Sequence, residues 1–255
     1  LVLDRTVLVS IALLCAAAWA YLVYLAAGMA PDMPDMPDMP GMPAAAMPMI
    51  HVWGAADFAA MFVMWAVMMV AMMLPSVTPM VLLYRRVGAH RAAQSRPRQP
   101  TWPFIAGYLV VWIGFSVLAM LANWALHSGG ALTSMMGRTT ALVGSAVLIV
   151  AGAYQWSPLK NACLSHCRSP IGFLGDHWRD GSIGALLMGF HHGAYCVGCC
   201  WLVMALLFVA GVMNLAWIAA LTVFILAEKI VPYGAALSRA AGALMLGWGI
   251  WLAVN

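Results

Sequence analysis

Three cysteines, Cys196, Cys199 and Cys200, crowd one apolar run, beginning four residues after the second of the imidazoles His191 and His192. Met188, His192, Cys196, Cys200 and Met204 recur every fourth residue. In a helix each such step drifts by about 40°, so any three consecutive members share an arc of about 80°. The best ligand set on one helix is therefore His192, Cys196 and Cys199 or Cys200, with the methionines extending a path above and below. Thiolate and thioether select Cu(I), with zinc as the competitor. Zinc uses Cys and His but leaves the methionines idle, whereas copper accounts for all three donor types. The alternative is a buried, inert thiol cluster.

A second group reads Cys163-Leu164-Ser165-His166-Cys167. If helical, it sets Cys163 and Cys167 one turn apart on one face with His166 close by, which points to a second, cytoplasmic site. Thiols there stay reduced, and Lys160 and Arg168 would favour the thiolate that binds metal. Two unrelated buried thiols are the alternative. A third group is a methionine stripe, in which Met64, Met68 and Met72 are spaced four apart, as are Met69 and Met73. Such a stripe either pairs thioethers along a helix face or fills gaps as flexible apolar packing. Pro75 and Pro79 should kink or unwind the end of this helix, with Ser76 and Thr78 satisfying freed backbone groups.

Between residues 31 and 43 proline recurs every third position, interleaved with Asp32, Asp35 and Asp38 and with Met33, Met36, Met39 and Met42. Proline at that spacing forbids helix and favours polyproline II, which lines the methionines along one edge about 9 Å apart. Gly41 offers a bend that would let two thioethers meet. The segment reads either as a low-affinity collector of Cu(I), with His51 as a further donor, or as a disordered spacer.

These donors sit in a chain of 255 residues that is 65% hydrophobic and 8% charged, with 12 Lys and Arg against 8 Asp and Glu. A soluble domain carries about 25% charged residues, so the solvent is a bilayer and an ordinary soluble enzyme is excluded. Seven candidate spans follow: Val7 to Gly28, Ala59 to Tyr84, Phe104 to Leu126, Thr139 to Trp156, Gly184 to Val212, Leu215 to Val231 and Ala240 to Val254. The basic loop after the second, with Arg85, Arg86, Arg91, Arg96, Arg98 and no acid, belongs in the cytoplasm. Alternation then leaves only Arg138 of the basic residues outside, with the N-terminus in and the C-terminus out. The expected fold is an all-α polytopic bundle of about seven spans. It divides into an anchor at 1–28, an extracytoplasmic Met/Pro-rich loop at 29–58 and a membrane domain at 59–255. Gly28-Met29-Ala30 is similar to a small-residue cleavage site, but the preceding apolar run is too long for a typical signal core and reads as a retained anchor. Glu228 and Lys229, neighbours at the end of the sixth span, read first as an ion pair with each other.

The stretches Met68 to Ser76, Tyr154-Gln155 through Lys160, Cys163 to Pro170 and Cys196 to Trp201 resemble a bacterial family of predicted metal-binding integral membrane proteins (domain of unknown function 2182). The likeness runs from about the second span to the sixth and leaves out the first span and the Met-Pro repeat. It implies a metal role for the same Cys and Met positions, without supplying a reaction.

The leading expectation is a copper-handling protein of the bacterial inner membrane, with lipid around it and other membrane subunits or a metallochaperone as candidate partners. A structural subunit of a larger respiratory, photosynthetic or copper oxygenase complex is the alternative. A thiol conduit through Cys196-Val197-Gly198-Cys199 fits less well, because the outward loops contain no cysteine. The basic excess is too small and scattered for nucleic acid. The chain carries no Ser-His-Asp set, paired carboxylates or phosphate loop, which makes hydrolytic catalysis the least favoured class.

Overall fold

The computed structural model describes residues 2–28, 53–95, 97, 99–132 and 137–254. Met33, Met36, Met39, Met42 and His51 of the expected collector lie outside them.

The described chain is helical throughout, apart from one isolated bridge between Leu132 and Thr139. Its helices are α1 (Val2–Gly28), α2 (Ala55–Ala93), α3 (Thr101–Ser128), α4 (Ala141–Tyr154), α5 (Pro158–Arg168), α6 (Pro170–His177), α7 (Gly181–Ala210), α8 (Leu215–Ile230) and α9 (Gly234–Val254). Every expected span coincides with a helix. Five of them, α1, α2, α3, α7 and α9, are long and apolar enough to cross a membrane, and α4 with α5 makes a sixth if that bent pair is one span. α8 falls short at 16 residues, or about 24 Å. Large apolar side chains such as Leu13, Leu118, Leu142, Val223 and Leu244 face outward. That is the arrangement of a surface solvated by lipid, where only helices with internally satisfied backbones are stable.

α7 forms the axis, packing on α3, α4, α5 and α8, while α2 packs on α1, α3 and α8, and α4 on α9. The α3–α7 crossing is close because both helices place glycine at the contact. A Cβ on Gly107 would collide with the Leu186 carbonyl, and one on Gly189 with the Phe104 carbonyl. Small residues at a crossing let backbones approach where lipid offers no hydrophobic drive.

The expected unwinding of α2 at its prolines is corrected. α2 runs unbroken through Pro75 and Pro79, with Ser76 Oγ donating to the Met73 carbonyl and Thr78 Oγ1 to that of Leu74. Local hydroxyl bonding and packing on both sides hold the helix through the prolines. The break falls instead in the fourth segment, where α4 and α5 meet at a 65° bend. Ser157 caps α5 by accepting from the Lys160 amide at 3.1 Å, and Pro158 occupies its first turn, where a missing N–H costs nothing. The sequence Trp-Ser-Pro thus ends one helix and starts another, and α5 packs against α7.

A buried polar group fixes α5 from its other side. Lys160 Nζ donates to Glu228 Oε1 at 2.7 Å and also to Gln155, and Ser238 Oγ donates to the same carboxylate oxygen. Lys160 and Glu228 are almost wholly buried, so each charge needs the other. Arg168 Nη2 donates to the Val231 and Pro232 carbonyls. α5 is thereby tied to the α8–α9 corner.

Candidate metal centre

Cys196 is the hub. Its Sγ lies 2.9 Å from Lys229 Nζ on α8 and 3.2 Å from the Tyr108 hydroxyl on α3. Lys229 also donates to Ser76 Oγ on α2 at 3.0 Å, and Tyr108 reaches the Met73 carbonyl at 3.3 Å. Three helices therefore meet at one sulfur, and α2 braces the lysine and tyrosine that reach it. Cys199 and Cys200 follow on the same side of α7, both thiols donating to the Cys196 carbonyl at 3.1 and 3.0 Å. All three are fully buried.

The bend brings in a fourth thiol. Cys167 at the end of α5 lies within hydrogen-bonding reach of Cys196 and Cys199, and Cys200 within reach of the same pair. The two cysteine groups expected as separate sites therefore adjoin, because α5 is folded back along α7. Cys163, one turn away, rests in the notch left by Gly198, where a Cβ would come within 2.7 Å of its Sγ. It faces α7 about one turn further along. The six cysteines are all free thiols.

His192 completes the surroundings. It is buried, its Nδ1 has no hydrogen-bond partner, and Phe104, Tyr108 and Phe173 pack around its ring at 6.2, 6.0 and 5.2 Å. A cavity of about 210 Å³ opens beside the cluster, with Ser76, Met80, Cys167, His192 and Lys229 among its lining. A thioether, a thiol, an imidazole with a spare nitrogen and an ammonium thus border one space.

The basic residues are redistributed relative to expectation. Lys229 pairs with Cys196 and not with Glu228, whose partner is Lys160. Consequently Lys160 and Arg168 are engaged elsewhere, and the cation at the thiols is Lys229. Adjacent residues on a helix point about 100° apart, so Glu228 and Lys229 serve different neighbours. His166 has other partners. Its ring stacks on Tyr195 at 4.2 Å, and its Nδ1 meets the Ala162 carbonyl at 2.8 Å.

The methionine stripe is buried. Met64, Met68, Met72 and Met73 have exposures of 1% or less, yet polar contacts of the cluster touch α2 only at Met73 and Ser76. Met64 sits about 14 Å along the helix from Met73, toward the end where α2 begins at Ala55. Trp65, on the same stretch, packs on Phe208 of α7 with ring centres 5.2 Å apart.

Among the described residues no three His, Cys, Asp or Glu side chains already stand in position to hold one ion. Cys199 and Cys200 donate to backbone, and Lys229 holds the lead sulfur. Lys229, Tyr108, Ser76 and Met80 are the site residues that spacing along one helix did not reveal. A lysine at the end of an apolar span was the one signal available, because a buried cation needs a partner.

A family model described as PpoB2, copper chaperone, matches residues 62–252. No curated protein and no solved structure matches the chain.

Proposed function

From membership of the PpoB2 copper-chaperone family, to which this chain belongs, we propose that it binds Cu(I) at the Cys167, Cys196, Cys199 and Cys200 cluster and passes it on. The observation that carries this is the meeting of four thiols from two helices beside a cavity bordered by Met80 and His192. Cu(I) is satisfied by two or three soft donors, and thiolate and thioether are the donors that select it. A site rebuilt from hydrogen-bonded thiols suits a carrier that must also release its cargo. His192 offers its unpartnered nitrogen, and Lys229 offsets the negative charge of a copper dithiolate.

The buried column Met64, Met68, Met72 and Met73 supports a route along α2 toward the thiols, and the Met-Pro repeat with His51 supplies the collector at its outer end. In this reading the chain crosses the bacterial inner membrane seven times, with α8 as a short crossing and the N-terminus in the cytoplasm. A metallochaperone or a copper-requiring membrane complex then takes the ion.

Copper bound to the full chain, purified in mild detergent under anaerobic conditions, tests the reading. At least one Cu(I) per chain is expected, with sulfur ligation in X-ray absorption and loss in the Cys196→Ser/Cys200→Ser double variant. Copper at background in the parent, with the double variant indistinguishable from it, would overturn the proposal.

A further inference from the structure

Outside the thiol cluster, one group of metal-competent side chains has no role in the reading above. His166 on α5, His177 on α6 and His191 on α7 are each half-buried. The His177 ring lies between the other two, 6.5 Å from His166 and 5.9 Å from His191. Metal–nitrogen bonds of about 2.0–2.1 Å place the ring centres of two imidazoles on one ion roughly 5 to 6.5 Å apart. The observed spacings fall in that range without a ligand to set them.

The hydrogen bonds fix which nitrogens are available. His166 Nδ1 meets the Ala162 carbonyl at 2.8 Å, and His177 Nδ1 meets the Phe173 carbonyl at 3.2 Å. A carbonyl only accepts, so each Nδ1 carries the proton and each Nε2 keeps a free lone pair. Tethering one ring nitrogen to a backbone carbonyl is how metal-ligating histidines are held in the right tautomer. Neither Nε2 has a hydrogen bond among the described residues, and neither nitrogen of His191 has one. Stacking of His166 on Tyr195 at 4.2 Å and of His177 on Phe173 at 4.8 Å limits how the rings turn.

The cluster is one ring away from the thiol cavity. Phe173 stacks on His177 at 4.8 Å and meets His192 edge-on at 5.2 Å. His191 and His192, successive on α7, thus adjoin His177 and Phe173 respectively.

We propose that His166, His177 and His191 form a second, accessible copper site, a transfer port that holds Cu(I) through Nε2 of His177 and one or both neighbours between an external partner and the buried thiols. The identity of the ion rests on the function proposed above; the imidazole set does not. Because no three donors stand ready around one ion among the described residues, binding proceeds by small rotations of half-buried rings. It is accordingly weaker than binding at the thiols.

The test is an anaerobic Cu(I) titration of the full chain in lipid nanodiscs against a chromogenic Cu(I) chelator, with X-ray absorption at each equivalent. The parent is expected to take up sulfur-ligated copper first and then one weaker equivalent with imidazole scattering. His177→Ala should lose that weaker equivalent and keep the tight one, and the milder His166→Gln/His191→Gln variant should weaken it at least tenfold. The Cys196→Ser/Cys200→Ser variant should retain it, so failure of the thiol reading and failure of the port register in different arms. Parent stoichiometry and undiminished imidazole scattering in both histidine variants, each eluting as a folded monodisperse protein, would overturn the port.

Discussion

Lys229 is the residue on which the chemistry of the centre turns. Its ammonium sits 2.9 Å from Cys196 Sγ and 3.0 Å from Ser76 Oγ, so it neutralises charge that a sulfur-ligated ion would otherwise leave uncompensated in an apolar interior. Lys229→Met is expected to weaken Cu(I) binding about tenfold, equivalent to about 1.4 kcal/mol, with Lys229→Arg recovering part of the loss. Competition with a chromogenic chelator measures it. Unchanged affinity in Lys229→Met would assign the lysine to packing alone. From the sequence, the shared helix of Cys196, Cys199, Cys200 and His192 was readable, because spacing along one helix translates into direction. Lys229 and Tyr108 were not, since their approach depends on how α8 and α3 rest on α7.

At the scale of elements, the crossing of α3 and α7 holds Tyr108 over Cys196. Gly189 lies directly against the Phe104 backbone, so a side chain there must push the helices apart. Overpacking of this kind costs about 1–3 kcal/mol. Gly189→Ala should lower the thermal midpoint in detergent by several degrees, while Gly114→Ala, on the same α3 but with open space around it, should be neutral or slightly stabilising. Equal midpoints for both would mean that the close crossing contributes nothing. The second decisive element is α5. A helical stretch around Cys163 and Cys167 was legible, yet its heading was not, because a helix cap and a proline start specify where a helix begins and leave its direction to later contacts. Those contacts are the Lys160–Glu228 pair and the notch at Gly198.

For the whole molecule, the proposed orientation makes the bundle polarised. Arg91 stacks on Trp178 with its guanidinium 4.7 Å from the ring and pairs with Asp180 at 3.6 Å, joining the end of α2 to the segment before α7. With the proposed orientation, Gln94→Cys and Ser128→Cys, both at exposed positions, face opposite compartments. A membrane-impermeant maleimide applied to intact inner-membrane spheroplasts should label Ser128→Cys above the parent's background and leave Gln94→Cys unlabelled until the membrane is opened. The reverse pattern would invert the topology and with it the direction of the methionine route.

Composition alone dictated the solvent. With 8% charged residues, nearly every long segment satisfies its own backbone as a helix, and lipid-facing and buried positions are both apolar. That same uniformity hides packing: where both faces of a helix are apolar, hydrophobic periodicity cannot say which neighbour it meets. The sequence therefore determined the helices, their approximate ends and the soft donors on each. Tertiary structure decided that α5 turns back along α7, which sets Cys163 and Cys167 beside the cysteines of α7, assigns Lys229 to the Cys196 sulfur and Lys160 to Glu228, and stacks His166 on Tyr195 beside His177. Each of those outcomes is a contact between residues distant in sequence, set by close helix crossings and buried charge pairing.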